Sequence, residues 1–220
     1  MSYPEAVLFD NDGLLLDTES VWTRAEQELF GRRGIEFTMD HKRRLVGSSQ
    51  ESAGLKLGVF LEEVGREDSI MEELNELVIA ELERGVEEMA GAVHLVTTLR
   101  EAGVPVGLVS NSPRIFIERS HEVAQSGLAF DSIVSGHEVP NAKPAPDAYL
   151  EGCSQLGVTP GKNVIALEDS PSGAVAAAAA GLYVIGVPSV PGIELEAADL
   201  TATSLEDDAV LDVLGIRGGS

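Results

Sequence analysis

The chain has 220 residues, of which 44% are hydrophobic and 24% are charged, as in a folded protein with one large domain or a core domain and a smaller insert. Asp and Glu number 37 against 15 Lys and Arg, and the net charge of −22 argues against binding to nucleic acid or to an anionic membrane surface. In such an acidic chain, a pocket for a phosphate group must contain its own cations.

Cys153 is the single cysteine, so an intramolecular disulfide is excluded and a reducing cytoplasm fits. It lies among apolar residues of a predicted helix, and we interpret it as a core residue. No apolar run approaches the length of a transmembrane helix, and the N-terminus lacks the basic flank and apolar centre of a signal peptide. We therefore expect a soluble, cytoplasmic protein, with a frayed end at Gly218-Gly219-Ser220.

Five short apolar runs, separated by helical stretches, indicate β-strands. They span residues 6–9, 104–109, 132–134, 163–167 and 183–187. The helical stretches between them span residues 92–102, 114–124, 147–156 and 172–180. This alternation predicts an α/β fold with a parallel sheet that is covered by helices on both faces.

The segment between the first two predicted strands has a different pattern. It contains no convincing strand, and its apolar residues follow helical stripes, such as Ile70, Leu74, Leu77, Val78 and Leu82. We interpret residues 17–90 as an inserted helical cap domain. Residues 1–16 and 91–220 then form the core domain.

Polar residues follow four of the predicted strands. They are, in chain order, Asp10 and Asp12, Ser110 and Asn111, Lys143, and Glu168 and Asp169. The carboxyl ends of parallel strands lie at one edge of a sheet, so we expect these residues to converge there.

Four acids in a small space would repel one another, and a hard divalent cation relieves that repulsion. Mg²⁺ prefers carboxylate and water oxygens and commonly also binds a substrate phosphate. The candidate metal-site acids are Asp10, Asp12, Glu168 and Asp169. The candidate phosphate-binding residues are Ser110, Asn111 and Lys143, because an ammonium, hydroxyls and backbone N–H groups can hold phosphoryl oxygens.

Asp10 is the best candidate for a nucleophile. It is ionised at neutral pH and directly follows a strand, whereas Ser110 has no nearby histidine to act as its base. Attack by Asp10 on phosphorus would give an aspartyl-phosphate. Asp12, two residues further on, can protonate the leaving oxygen and then deprotonate the water that cleaves the intermediate.

The same residues resemble the motifs of the haloacid dehalogenase-like hydrolases. Residues 9–19 resemble the first motif, Ser110-Asn111 the second, Lys143-Pro144-Ala145-Pro146 the third, and Glu168-Asp169-Ser170 followed by Gly173 the fourth. The resemblance covers nearly the whole chain, with the motifs in the right order. It implies a Rossmann-like core with a helical cap and a small-molecule phosphate ester as substrate.

The resemblance also implies a role for each matching residue. Asp10 would be the nucleophile and Asp12 the acid/base. Mg²⁺ would be bound by Asp10, the carbonyl of Asp12 and Asp169, with Glu168 in or near the first coordination shell. Ser110 and Lys143 would hold the phosphoryl group.

Two branches of the family remain open, namely sugar-phosphate phosphatases and β-phosphoglucomutase. The second acid, Asp12, argues against a true dehalogenase. The mutase has a histidine where this chain has Trp22, and cations where it has Val46 and Gln50. Residues 16–22 resemble the 2-deoxyglucose-6-phosphate phosphatase type, so we favour a phosphatase of small phosphorylated metabolites, with sugar phosphates as the expected esters and a mutase as the alternative.

A non-catalytic phosphate-binding or signalling module is an alternative of another class. Response-regulator receiver domains also combine acids, Mg²⁺, a hydroxyl and a lysine on a parallel sheet. The Asp-x-Asp spacing, the second acidic pair and the cap argue against that alternative here. Thr18 and Arg114 are further pocket candidates. The histidines show no ligand spacing, and we interpret each as structural or surface: His41, His94, His121 and His137.

Overall fold

The computed structural model describes residues 3–216, so the end expected to fray at Gly218-Gly219-Ser220 lies outside the described residues. Within this range there are six strands: β1 Ala6–Phe9, β2 Val106–Ser110, β3 Ser132–Ser135, β4 Val164–Glu168, β5 Tyr183–Gly186 and β6 Leu200–Thr201. All are parallel, in the order β3-β2-β1-β4-β5-β6. The predicted α/β fold with a parallel sheet is confirmed.

The described residues also contain nine α-helices. They are α1 Thr18–Gly31, α2 Met39–Leu45, α3 Gln50–Phe60, α4 Glu67–Leu82, α5 Ala92–Glu101, α6 Arg114–Ala124, α7 Asp147–Leu156, α8 Pro171–Ala179 and α9 Asp208–Val213. The sequence analysis missed β6 and α9. At two and six residues, these elements are too short to show a periodic pattern.

Both faces of the sheet are buried. Val7 and Phe9 pack in one apolar cluster, and Ala6 and Leu8 pack in a second cluster on the opposite face, as expected from the alternation of side chains along a strand. Cys153 belongs to the second cluster and is fully buried, which agrees with its interpretation as a core residue. Burial raises the pKa of its thiol to about 11.

The inserted segment is a layer of four helices, α1 to α4, placed between β1 and α5. The predicted boundaries, residues 17–90, enclose these helices. Leu29, Ile70 and Leu74 belong to an apolar cluster of this layer, and Leu16 and Phe116 from the core domain join it. None of the described helices is long and apolar enough to cross a membrane.

The strand register aligns the ends of the central strands. Phe9, the last residue of β1, pairs with Leu108 of β2 and Leu167 of β4. One residue beyond this pairing, β1 is followed by Asp10 and β4 ends at Glu168. Two residues beyond Leu108, β2 ends at Ser110. Three chemically active side chains therefore start from the same edge of the sheet.

Candidate active site

A group of three buried acids lies at the carboxyl edge of the sheet. Asp10 follows β1, Glu168 ends β4, and Asp169 comes next along the chain. One oxygen from each carboxylate lies within 4.8 Å of the other two. Carboxylates this close repel one another unless a proton or a cation compensates.

The pKa values of these acids also show that their ionised forms are unfavourable without a nearby cation. Burial raises the pKa of Asp10 well above its usual value, with Lys143 opposing the shift and Glu168 adding to it. Burial, followed by the charge of Asp10, raises the pKa of Asp169. The donors are hard carboxylate oxygens whose ionised form needs a positive charge nearby. They therefore fit a hard divalent cation.

Lys143 lies beside this group and is itself buried. Its Nζ atom is 2.6 Å from Asp10 Oδ1 and 2.5 Å from Glu168 Oε1, and it donates to the Val109 carbonyl at 2.8 Å. Burial alone would lower the pKa of Lys143, but the charges of Asp10 and Glu168 outweigh burial and hold the pKa above its usual value. The Tyr149 hydroxyl also donates to Glu168 Oε1, at 2.6 Å. Lys143 is thus a charged ammonium held directly against the candidate nucleophile.

Asp12 is held by three hydroxyl groups and lies outside the group of three acids. Thr18 donates to Asp12 Oδ1 at 2.7 Å, while Ser110 and Ser112 each donate to Oδ2 at 2.8 Å. This carboxylate is fixed in direction but remains partly exposed. Such an arrangement suits a group that gives and takes a proton at a defined position.

Asn111 positions the lysine loop. Its side-chain oxygen accepts from the Lys143 backbone N–H at 2.9 Å, and its amide donates to the Lys143 carbonyl at 3.2 Å. The same amide donates to the Gly47 carbonyl in the helical layer at 3.3 Å. The Asn111 side chain therefore joins two parts of the site, and its predicted contact with phosphate stays a prediction.

The helical layer closes over the sheet edge at Gly47. This residue has φ of +66°, and a Cβ atom there would lie 2.5 Å from the Ser170 side chain. Its carbonyl also accepts from the Ser172 hydroxyl. Glycine is needed here both for the left-handed backbone and for the close approach to the core domain.

A cavity separates this layer from the sheet edge. The core domain lines it with Asp10, Asp12, Ser110, Asn111, Lys143 and Asp169. The helical layer contributes Trp22, which also packs on Phe116 with ring centroids 5.4 Å apart, together with Val46 and Gln50. The three positions that distinguish this chain from the mutase pattern thus all line the cavity.

Asn11 and His121 support the site, and the sequence analysis did not assign them to it. Asn11 is fully buried, and its amide donates to Asp12 Oδ1 at 3.3 Å. Asn11 Oδ1 lies 2.9 Å from His121 Nε2, and His121 Nδ1 lies 2.9 Å from the Ser126 hydroxyl. His121 is thus structural, as interpreted. The signal that could have revealed Asn11 is a polar residue between two acids immediately after an apolar strand.

The structure places some of the remaining pocket candidates at the site and others elsewhere. Thr18 lies at the site through its bond to Asp12. The expectation for Arg114 is wrong, because Arg114 is not among the residues that line the cavity. Its guanidinium pairs with Glu138 at 2.5 Å and donates to the Ile133 carbonyl. His137, interpreted as structural or surface, lines the cavity.

Comparison with known proteins identifies the family. The model of the haloacid dehalogenase-like hydrolases matches residues 7–187, which is most of the chain. The chain belongs to this family. Hexitol phosphatase B of Escherichia coli (strain K12) is 31% identical to this chain over 98% of this chain and 100% of that protein. (DL)-glycerol-3-phosphatase 2 of Arabidopsis thaliana is 30% identical over 91% of this chain and 87% of that protein.

Solved structures of other proteins share the whole architecture of this chain. A variant of CbbY from Rhodobacter sphaeroides, in complex with xylulose 1,5-bisphosphate, superimposes with a TM-score of 0.80 at 27% identity, covering 96% of this chain and 99% of that one. β-Phosphoglucomutase from Clostridium difficile superimposes with a TM-score of 0.81 over 96% of this chain and 97% of that one, but its identity of 23% establishes only the common fold. The expected Rossmann-like core with a helical insert is therefore confirmed.

Proposed function

We propose that this protein is a Mg²⁺-dependent phosphatase of small phosphorylated metabolites, with sugar phosphates as the expected esters, that acts through an aspartyl-phosphate on Asp10. The observation that carries the proposal is the contact between the Lys143 ammonium and Asp10, next to a separate acid, Asp12, that is held by three hydroxyls. A nucleophile and an acid/base are thus present as two carboxylates with different surroundings.

In the first half-reaction a carboxylate oxygen of Asp10 attacks phosphorus, and the bond from phosphorus to the ester oxygen breaks. Asp12 gives its proton to that oxygen, so the alcohol leaves neutral. In the second half-reaction Asp12 takes a proton from water as the water attacks phosphorus. The bond from Asp10 to phosphorus then breaks, and inorganic phosphate is released.

The charged residues have distinct tasks in this sequence. Lys143 orients Asp10 and, with Ser110 and the Asn111 loop, holds the phosphoryl oxygens. Asp10, Glu168, Asp169 and the carbonyl of Asp12 are the proposed ligands for Mg²⁺. When bound, the cation supplies positive charge that offsets the repulsion between these acids and the phosphate.

A phosphatase is favoured over a mutase by the cavity lining. A phosphosugar mutase must hold a second phosphate, yet Trp22, Val46 and Gln50 give the helical layer no charge at those positions. The names of the relatives, a hexitol phosphatase and a glycerol-3-phosphatase, also support hydrolysis of small hydroxylated esters. We further propose that the protein has no nucleic-acid partner, on the basis of the net charge of −22, and that it is cytoplasmic, since a single cysteine fits a reducing compartment.

The test is phosphate release from a panel of small phosphate esters, with and without Mg²⁺, by the wild type and Asp10→Asn. We expect release that depends on Mg²⁺ and falls by about 10³-fold or more in the variant, because the amide is no nucleophile. Asp212→Asn, at an exposed position of α9, is the matched control and should retain full activity.

The panel also includes β-glucose 1-phosphate with a trace of the bisphosphate, followed by an assay for glucose 6-phosphate. Isomerisation without net phosphate release would identify a mutase. If neither activity appears with any ester, the proposal of an enzyme is contradicted and a phosphate-binding role takes its place.

A further inference from the structure

A second buried lysine lies on the opposite side of the cavity from Lys143. Lys42 of α2 has its Nζ atom 2.6 Å from Glu19 Oε2 and 3.2 Å from Glu26 Oε2, both on α1. Lys42 is only 3% exposed and Glu26 4%. All three side chains line the cavity that contains Asp10. We call Glu19, Lys42 and Glu26 the roof cluster.

The roof cluster is a poor way to stabilise a helix pair. Burying two carboxylates and an ammonium carries a desolvation penalty of several kcal/mol per ion, and apolar residues of similar size commonly pack as well or better. The neighbouring positions of the same helices are in fact filled by apolar residues such as Val21 and Leu45. A role in binding therefore accounts for the charges better than a role in packing.

The cluster has hydrogen-bonding capacity left for a ligand. The Lys42 ammonium donates to Glu26 Oε2 and to the Glu19 carbonyl, and it lies 2.6 Å from Glu19 Oε2. Glu19 Oε2 is buried and close to Lys42, but it receives no well-directed hydrogen bond. Hydroxyl groups, which donate to carboxylates, match such acceptors.

The charge of the cluster disfavours an anion. Two carboxylates face one ammonium, so once both are ionised, a second phosphate or a carboxylate on the substrate would meet a net negative charge. The other lysine among the described residues that line the cavity, Lys143, is paired with Asp10 and Glu168. Lys56 donates to the hydroxyl of Ser48, a lining residue, at 2.7 Å but is not itself among the residues that line the cavity.

We propose that Glu19, Lys42 and Glu26 bind the hydroxyl groups of the leaving alcohol and exclude a second anionic group, which makes the substrate a monophosphate ester of an uncharged polyhydroxy compound. This inference rests on the proposed phosphatase function. In this proposal the roof cluster determines which ester binds, and the residues at the sheet edge catalyse phosphoryl transfer.

The experiment compares kcat/KM for two esters of similar size, glycerol 3-phosphate and phosphoglycolate, and for a hexose monophosphate and its bisphosphate. The wild type should have a kcat/KM about tenfold or more higher for glycerol 3-phosphate and for the hexose monophosphate, the members of each pair that carry no charge besides the reacting phosphate. Equal kcat/KM values within both pairs would overturn the inference.

p-Nitrophenyl phosphate, whose leaving group has no further hydroxyl, measures phosphoryl transfer without any contribution from hydroxyl recognition. Its hydrolysis in the absence of any such preference would leave the phosphatase standing, whereas no hydrolysis of any ester would remove both proposals.

The variant Glu19→Gln/Glu26→Gln removes both negative charges at nearly constant volume and leaves Lys42 as an uncompensated cation. The ratio of kcat/KM for the ester without a second charged group to kcat/KM for the ester with one should then fall by about tenfold or reverse. Glu76→Gln, at an exposed position of α4 in the same helical layer, should keep the wild-type preference. If the double variant does not fold, Glu26→Gln alone should shift the preference in the same direction. An unshifted preference in the folded variant would contradict the assignment.

Discussion

The sheet edge and the helical layer each bury one lysine between two carboxylates, but they do so in different settings. Lys143 lies 2.6 and 2.5 Å from Asp10 and Glu168, and Lys42 lies 2.6 and 3.2 Å from Glu19 and Glu26. In the first set, the two acids lie at the ends of neighbouring strands and the lysine lies in the loop after β3, whereas the second set joins two helices of an insert. The comparison suggests that the rigid edge performs the chemistry and the insert selects what enters.

The largest expected contrast comes from removing each lysine. Lys143→Met leaves Asp10 and Glu168 buried without their cation, so phosphate release should fall by about 10³-fold even from p-nitrophenyl phosphate. The free energy of unfolding without metal should fall by about 3–5 kcal/mol. Steady-state kinetics and urea unfolding measure the two effects.

Lys42→Met is the matched variant in the helical layer. It should lower the unfolding free energy by a similar amount but affect turnover of p-nitrophenyl phosphate far less than Lys143→Met does. Equal losses of turnover in the two variants, with both proteins folded, would contradict the division of labour between sheet edge and insert.

The two lysines also differ in how far the sequence predicts them. The partners of Lys143 follow predicted strands, and the parallel register then fixes where they meet. Lys42 lies in the basic run His41-Lys42-Arg43-Arg44, which has the pattern of a solvated surface. Its burial depends on the rotation of α2 against α1, and periodicity within either helix does not determine that rotation.

The same reason explains what the sequence analysis recovered of the site. The convergence of Asp10, Glu168 and Asp169 follows from strand order, whereas Lys143 reaches them from the loop after β3, which Asn111 holds in place. The three hydroxyls around Asp12 and the partners of Asn11 require side-chain directions across loops, which are set by tertiary packing. Arg114 was misjudged because Glu138, its partner, lies 24 residues away in a turn after β3.

A second prediction concerns the pH dependence of stability in the helical layer. Burial, opposed by Lys42 and aided by Glu19, raises the pKa of Glu26 from 4.5 to about 7. Between these values the folded state holds a proton that the unfolded state has released, so the free energy of unfolding decreases as pH rises through this window. The decrease should total about 3 kcal/mol.

Glu26→Gln removes this titration. The variant should gain stability relative to the wild type as pH rises from 4.5 to 7, and it should show no such gain below 4.5. Urea unfolding at several pH values measures the difference, with Glu76→Gln as the exposed control. A constant difference across the window would mean that Glu26 is ionised throughout, and the roof cluster would then hold its full negative charge at acidic pH as well.

The smallest expected effect tests how the insert meets the sheet edge. Gly47→Ala places a methyl group 2.5 Å from Ser170 and strains a backbone with φ of +66°, so the closed arrangement should lose about 1–2 kcal/mol. Closure over the cavity then becomes less favourable, and KM should rise several-fold while the unfolding of the core domain changes little.

Gly34→Ala separates contact from strain. Gly34 has nearly the same φ, +68°, but a Cβ atom there would meet nothing within 4 Å. The strain is therefore common to both variants, and the clash with the core domain belongs to Gly47 alone. A rise in KM confined to Gly47→Ala would tie ester binding to the contact between insert and core. An equal rise in KM in both variants would instead mean that backbone strain weakens the insert itself. Ester binding by the roof cluster would then depend on the stability of the helices that carry it.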